Sequence, residues 1–255
     1  MTGAGQGPHW RSGGSVLDRL PPEVKLVAVV SFAAATVTVP RRQVWAFVVL
    51  AALLLATARL ARVPPAELAR RCLAGAPFLA VAPLLAVVAQ GERMTLGPVS
   101  LSRPGTWAAW NLAAKGVLGL AATGLLRATT APGDVIAGLD RLRVPPAFTA
   151  TAGFMVRYLE TTLDDARRMR AARLARADDP RWIWQAGATA ATAATLFVRS
   201  YERGERVHRA MLARGYSGRL PVLDGRTAGL NSWLSAALLP AVATVVSVTA
   251  QVVER

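Results

Sequence analysis

Five long apolar runs, separated by short polar stretches rich in arginine, set the pattern of this chain. They are Val24–Val39, Val44–Ala58, Leu73–Ala89, Trp107–Leu126 and Leu230–Val253. A helix needs about 20 apolar residues to cross the hydrocarbon core of a bilayer. The first two runs are shorter than that, and Pro40-Arg41-Arg42 between them predicts a close helical hairpin. Pro77 and Pro83 lie inside the third run, where a membrane helix tolerates them if neighbours satisfy the freed backbone groups. Gln90–Pro104, with its glycines and prolines, reads as a polar loop. Trp107 and Trp110 open the fourth run and Trp233 the last, as suits a membrane–water interface. Lys115, inside the fourth run, is expected to face the bundle interior or to snorkel. Gly116, Gly119 and Gly124 allow close helix contact there.

Between Arg127 and Arg226 no segment is long and apolar enough to span cleanly, and this region holds seventeen of the thirty basic residues. Val135–Leu142 predicts a short amphipathic helix ended by Val144-Pro145-Pro146. Two arginine-rich helices are predicted after it. In the first, Leu159, Leu163, Ala166 and Arg170 share a face, Asp164 stands four residues before Arg168, and Asp178-Asp179-Pro180 stops the helix. In the second, Phe197, Tyr201, Gly204, His208 and Met211 share a face. There Glu202 precedes Arg206 by four and Glu205 precedes Arg209 by four, the favourable order for surface ion pairs. Gly215 is the expected left-handed cap, which leaves Arg214 in the last turn beside unsatisfied carbonyls. Ala186–Ala194, made of alanine, threonine and glycine, is weak as a span.

Composition sharpens the membrane reading. The chain is 53% hydrophobic with a mean hydropathy of +0.35, yet carries a net charge of +15. Basic residues set between long apolar runs fit a polytopic membrane protein rather than a nucleic-acid binder, whose positive charge would gather on one polar domain. The positive-inside rule places the N-terminus, the Arg59–Arg71 loop and the region after Arg127 in the cytoplasm, and Arg41-Arg42 and Gln90–Pro104 outside. The expected fold is all-α and polytopic, with about five transmembrane helices plus cytoplasmic coupling helices. Residues 1–15 form a polar tail expected to be disordered, 16–126 hold four membrane helices, 127–229 the cytoplasmic region and 230–255 the last span. The tail lacks an apolar core and does not read as a signal peptide.

The chain carries no catalytic constellation. Cys72 is the only cysteine, and His9 and His208 are the only histidines, so no metal site is expected. His208 reads as a packing or hydrogen-bonding residue. No Gly-rich loop ending in Lys-Ser or Lys-Thr is present, so the chain is not expected to hydrolyse ATP. Asp164-Asp165 and Asp178-Asp179 read as charge balance for the neighbouring arginines.

Two Ala-Arg-Gly-type helix ends carry a resemblance. Ala213-Arg214-Gly215 lies within Glu202 to Tyr216, and Ala175-Arg176-Ala177 closes the first basic helix. With Leu20-Pro21-Pro22-Glu23-Val24-Lys25-Leu26 and Asn111-Leu112-Ala113-Ala114-Lys115-Gly116, they resemble the transmembrane T component of energy-coupling factor transporters, in its cobalt branch, the CbiQ proteins. The likeness runs from about Ser15 to the final span. It implies a chain that binds no cofactor and holds two ATP-binding-cassette ATPases, which carry the ATP, together with a substrate-binding membrane subunit. The docking residues would be Ala175, Arg176, Ala177, Ala213, Arg214 and Gly215, supported by Arg173, Glu202, Arg206, Arg209 and Met211. Arginine suits the task because its planar fork bonds carboxylates or carbonyls at several points. A T component for nickel or a vitamin, or a membrane anchoring protein, are the alternatives.

Overall fold

The computed structural model describes residues 17, 20–73, 75, 80–88, 93–96, 99–176, 186–218 and 229–254. Among them the elements run α1 (Pro22–Thr38), α2 (Val44–Leu60), α3 (Pro65–Leu73), α4 (Val81–Val88), β1 (Arg93–Leu96), β2 (Val99–Ser102), α5 (Arg103–Thr129), α6 (Pro132–Arg141), α7 (Pro146–Ala175), α8 (Ala186–Ala213) and α9 (Leu230–Glu254). The chain divides into two compact units, Met1–Gly138 with Arg226–Arg255, and Leu139–Gly225.

The first unit is organised around α5. Its buried Leu118, Ala121, Ala122 and Leu125 recur at three- and four-residue spacing and so form one stripe. Helices α1, α2, α3 and α4 all pack against α5, and α9 closes the bundle against α1 and α2. Small residues face inward: Ala46 and Ala58 on α2, Ala243 and Ala250 on α9. Phe32, Phe47, Leu50 and Leu54 are buried beside them, while other large apolar side chains face outward, with Val48 61%, Leu55 49%, Leu238 67% and Val245 65% exposed. A soluble bundle buries its large apolar side chains. Here lipid tails are the expected cover, and small inward residues let the backbones approach. Helices α5 and α9 are each long and apolar enough to cross a bilayer, while α2 is apolar but shorter.

Helix α1 has 17 residues, a rise of about 25 Å against a hydrocarbon core of about 30 Å. Its last carbonyls are met by side chains from two other helices. Lys115 Nζ on α5 donates to Val37 O at 2.7 Å, and Gln251 Nε2 on α9 donates to Thr38 O at 3.1 Å. The Thr38 and Ser247 hydroxyls share a hydrogen bond of 2.7 Å beside them. Lys115 thus turns toward a neighbouring helix, one of the two orientations its sequence allows. At the other end of α1, a Cβ on Gly138 of α6 would stand 2.9 Å from Leu26 Cδ1 and 3.0 Å from the Glu23 nitrogen. Only glycine lets α6 lie this close.

Two sequence expectations change here. The Gln90–Pro104 stretch is not loop throughout: β1 and β2 pair antiparallel, Arg93 opposite Ser102 and Leu96 opposite Val99. The intervening Gly97-Pro98 has hairpin length, and the β-branched Thr95 and Val99 favour strands. Arg103 already begins α5. The Leu73–Ala89 run is not one described helix either; it starts at the end of α3 and its later part forms α4. Pro83 falls in the first turn of α4, where the missing N–H costs no intrahelical bond. Pro77 lies outside the described residues.

Helix ends follow a recurring rule. Arg-Val-Pro-Pro-Ala occurs at 62–66 and again at 143–147. At each place the arginine is left-handed, with φ of 53° at Arg62 and 62° at Arg143. At the first, the Arg62 and Val63 N–H groups donate to Arg59 O and Ala58 O. At the second, those of Arg143 and Val144 donate to Asp140 O and Leu139 O. This is the Schellman closure. The second proline then opens the next helix, α3 at Pro65 and α7 at Pro146, where a fixed φ and absent N–H suit a first position.

Candidate docking surface

The second unit is built on α7 and α8. Arg203 of α8 donates to Asp165 Oδ2 of α7, and Arg168 Nη2 donates to Oδ1 of the same carboxylate at 2.6 Å. One turn and more along, Arg173 Nη1 and Nη2 reach Thr192 Oγ1 at 3.2 Å and Thr189 Oγ1 at 3.4 Å. Positions 165 with 203 and 173 with 189 and 192 define an antiparallel pair. Asp165 is 13% exposed, and its hydrogen bonds to Arg203 and then Arg168 hold its carboxyl below the usual carboxylate range.

The faces that join the helices mix polar and apolar side chains. Tyr158, Thr162, Asp165, Ala166, Met169 and Arg173 are the half-buried positions along this part of α7, and Ala188, Thr192, Leu196, Ser200, Arg203, Glu205, Val207 and Met211 along α8. Most of the stripes expected from the sequence is exposed instead, with only Ala166 and Met211 half-buried. Leu159 is 54% and Leu163 44% exposed, and Phe197 is 72% and Tyr201 63% exposed. Gly204 and His208 are exposed with them, so the packing role expected for His208 does not hold. The reason is the Asp165–Arg203 pair together with Arg173 and its two threonines. These contacts turn Asp165, Arg173 and Arg203 inward and leave Leu159, Leu163, Phe197 and Tyr201 outward.

Ion pairs on the helix surface follow sequence in α8 and differ in α7. Arg206 lies 3.8 Å from Glu202 and Arg209 3.1 Å from Glu205. In α7, however, Asp164 pairs with Arg167 at 2.9 Å rather than with Arg168, because Arg168 is drawn to Asp165.

Helix α8 ends as its sequence predicts. Gly215 has φ of +83°, its N–H donates to Leu212 O, and the Tyr216 N–H donates to Met211 O. Met211, half-buried, thus anchors the closure while Ala213, Arg214 and Gly215 stand exposed. At the end of α7, Ala175 and Arg176 are also exposed. Arg176 has φ −94° and ψ 14°, and its N–H donates to Arg173 O and Leu174 O, a right-handed finish without a left-handed residue. Ala177, and the Asp178-Asp179-Pro180 stop, lie outside the described residues.

The antiparallel pairing does not bring the two arginines together. Arg176 sits one turn beyond Arg173, beside the start of α8, and Arg214 stands at its far end. With about 24 residues of helix between these levels, the separation is about 35 Å. Sequence reading gave Asp165 to charge balance among the arginines, as its bonds to Arg168 and Arg203 bear out, but did not single out Arg203 as its partner across the pair. A signal was present: the positions three and four residues from Arg203 hold Arg199, Ser200, Arg206 and Val207, so no acid on its own helix can answer it. Among the described residues no group of three His, Cys, Asp or Glu side chains is placed to hold a metal ion.

An apolar-faced bundle with two helices long and apolar enough to cross a bilayer is the architecture of a membrane protein. The sequence profile of the CbiQ cobalt transport proteins matches residues 13–223. The chain belongs to that family. A relative, the cobalt transport protein CbiQ of Rhodobacter capsulatus, is 33% identical over 125 residues, which cover 46% of this chain and 50% of the relative. The matched stretch thus spans about half the length of that protein.

Proposed function

We propose that this chain is the membrane scaffold of a multi-subunit cobalt importer, seating one ATP-binding-cassette ATPase at each end of the α7–α8 pair. ATP hydrolysis belongs to those partners. Closure of the two ATPases moves the α7–α8 pair, which passes that movement to a substrate-binding membrane subunit. The chain is multi-pass, with its N-terminus and residues 127–229 in the cytoplasm. The observation that carries the reading is the spacing: two exposed arginines on one antiparallel pair, about 35 Å apart, reach two separate grooves better than one. The exposed stripes of Leu159, Leu163, Phe197 and Tyr201 supply the apolar area that a stable interface needs. Membership of the cobalt transport family supports the cargo. Cobalt uptake by cells expressing the whole transporter tests it. Substituting both Arg176 and Arg214 by Ala is expected to abolish uptake while the chain still reaches the membrane. Uptake at the unsubstituted level would contradict the reading.

A further inference from the structure

At one end of the first unit four helices meet around an apolar cavity of about 170 Å³. The meeting ends are the N-terminal parts of α1 and α9 and the C-terminal parts of α2 and α5. Ala28, Leu53, Leu60, Leu126 and Leu238 line the cavity, and Lys25 forms part of its wall. Such a cavity holds water poorly and takes apolar ligands. Of its polar lining residues, Lys25 donates to Thr129 O and the hydroxyls of Thr57, Thr129 and Ser235 donate to carbonyls of their own helices, so the open surface of the cavity is apolar.

The same helix ends are positive. Arg59 precedes the lining Leu60 and Arg127 follows the lining Leu126, and both are exposed in the last turns of α2 and α5. Arg62 stands two residues beyond Leu60, exposed, in the left-handed conformation. Glycine is the cheap residue at such a position, and a side chain there is strained. Arg143 takes the same conformation in the second copy of the motif, so helix closure accounts for it; what bears on the cavity is that Arg62 is exposed two residues from the lining Leu60.

We infer that this end of the bundle binds an anionic phospholipid, with an acyl chain in the cavity and its phosphate held by Arg59 and Arg62. The chemistry matches part by part. The cavity lies among helices whose outer faces are apolar, so a lipid tail reaches it without crossing water. Arginine meets phosphate through two parallel hydrogen bonds, and basic sites between membrane helices at the cytoplasmic side take anionic headgroups. The site needs neither the ATPases nor cobalt, so its test is separate from that of the transport role.

The test uses the purified full chain in nanodiscs of phosphatidylcholine alone or of equal parts phosphatidylcholine and phosphatidylglycerol, with retained lipid counted by native mass spectrometry. The unsubstituted chain is expected to retain phosphatidylglycerol in preference to phosphatidylcholine. Arg59→Gln with Arg62→Gly keeps the helix end, since glycine suits the left-handed position. It is expected to weaken phosphatidylglycerol binding about thirtyfold, or about fivefold for each arginine. Ala236→Phe, which fills the cavity from α9, is expected to expel both lipids, and Ala28→Leu does the same from α1 should the first variant fail to fold. Inorganic phosphate added to phosphatidylcholine discs is expected to leave thermal stability unchanged. Undiminished phosphatidylglycerol preference in the arginine variant would overturn the inference. So would lipid retention indifferent to both cavity-filling variants, or stabilisation by inorganic phosphate equal to that by phosphatidylglycerol.

Discussion

Asp165 is the residue on which the α7–α8 pair turns. It receives hydrogen bonds from Arg203 across the pair and from Arg168 on its own helix, and these hold its pKa below the ordinary value. A carboxyl depressed in the folded state adds stability above its unfolded pKa of about 3.9, and that contribution fades as pH falls through the lower folded value. The pairing is therefore expected to be indifferent to pH from neutrality to about 5 and to loosen only in stronger acid. Asp165→Asn should remove this acid dependence and lower the melting temperature at pH 7, as followed by circular dichroism in detergent. A melting temperature unchanged in the variant would show the contact to be ornamental. Gly215 acts locally in a different way. Its φ of +83° is strained for any side chain, so Gly215→Val is expected to cost about 1–2 kcal/mol in closing the end of α8. ATPase binding should weaken without loss of the bundle, which size-exclusion chromatography of the complex would report.

At the scale of elements, α1 depends on side chains from two other helices to finish. Lys115→Met removes the donor to Val37 O, leaving an acceptor in apolar surroundings at a cost of about 1–3 kcal/mol. A lower melting temperature with uptake retained is the expected result; uptake lost at unchanged stability would instead assign Lys115 to the cargo path. The apolar runs made most elements readable, since hydrophobic length predicts α1, α2, α5 and α9 within about two residues at most ends. The cap at Gly215 and the Glu202–Arg206 and Glu205–Arg209 pairs were readable because all are local. The packed faces of α7 and α8 were not. Periodicity finds an apolar stripe but not what covers it, and here a polar contact 38 residues apart in sequence decides the face. The two strands were hidden because the glycines and prolines in and around them read as loop signals.

For the whole molecule, the central claims are orientation and docking. A cysteine at Ser217, with Cys72 replaced by serine, should react with an impermeant thiol reagent in inverted vesicles and not in intact cells. Docking is tested most directly by co-purification of the ATPases with the tagged chain carrying Arg176→Ala, Arg214→Ala or both. Loss of one hydrogen-bonded charge contact at an interface costs about 2–5 kcal/mol. Each single variant should retain about one ATPase of the two, because the arginines stand about 35 Å apart at opposite ends of the pair. The double variant should retain neither, and lysine at both positions should restore binding only in part, since a point charge lacks the guanidinium fork. Two ATPases retained at the unsubstituted level by the double-alanine variant would contradict the account and leave α7 and α8 as a solvated helix pair.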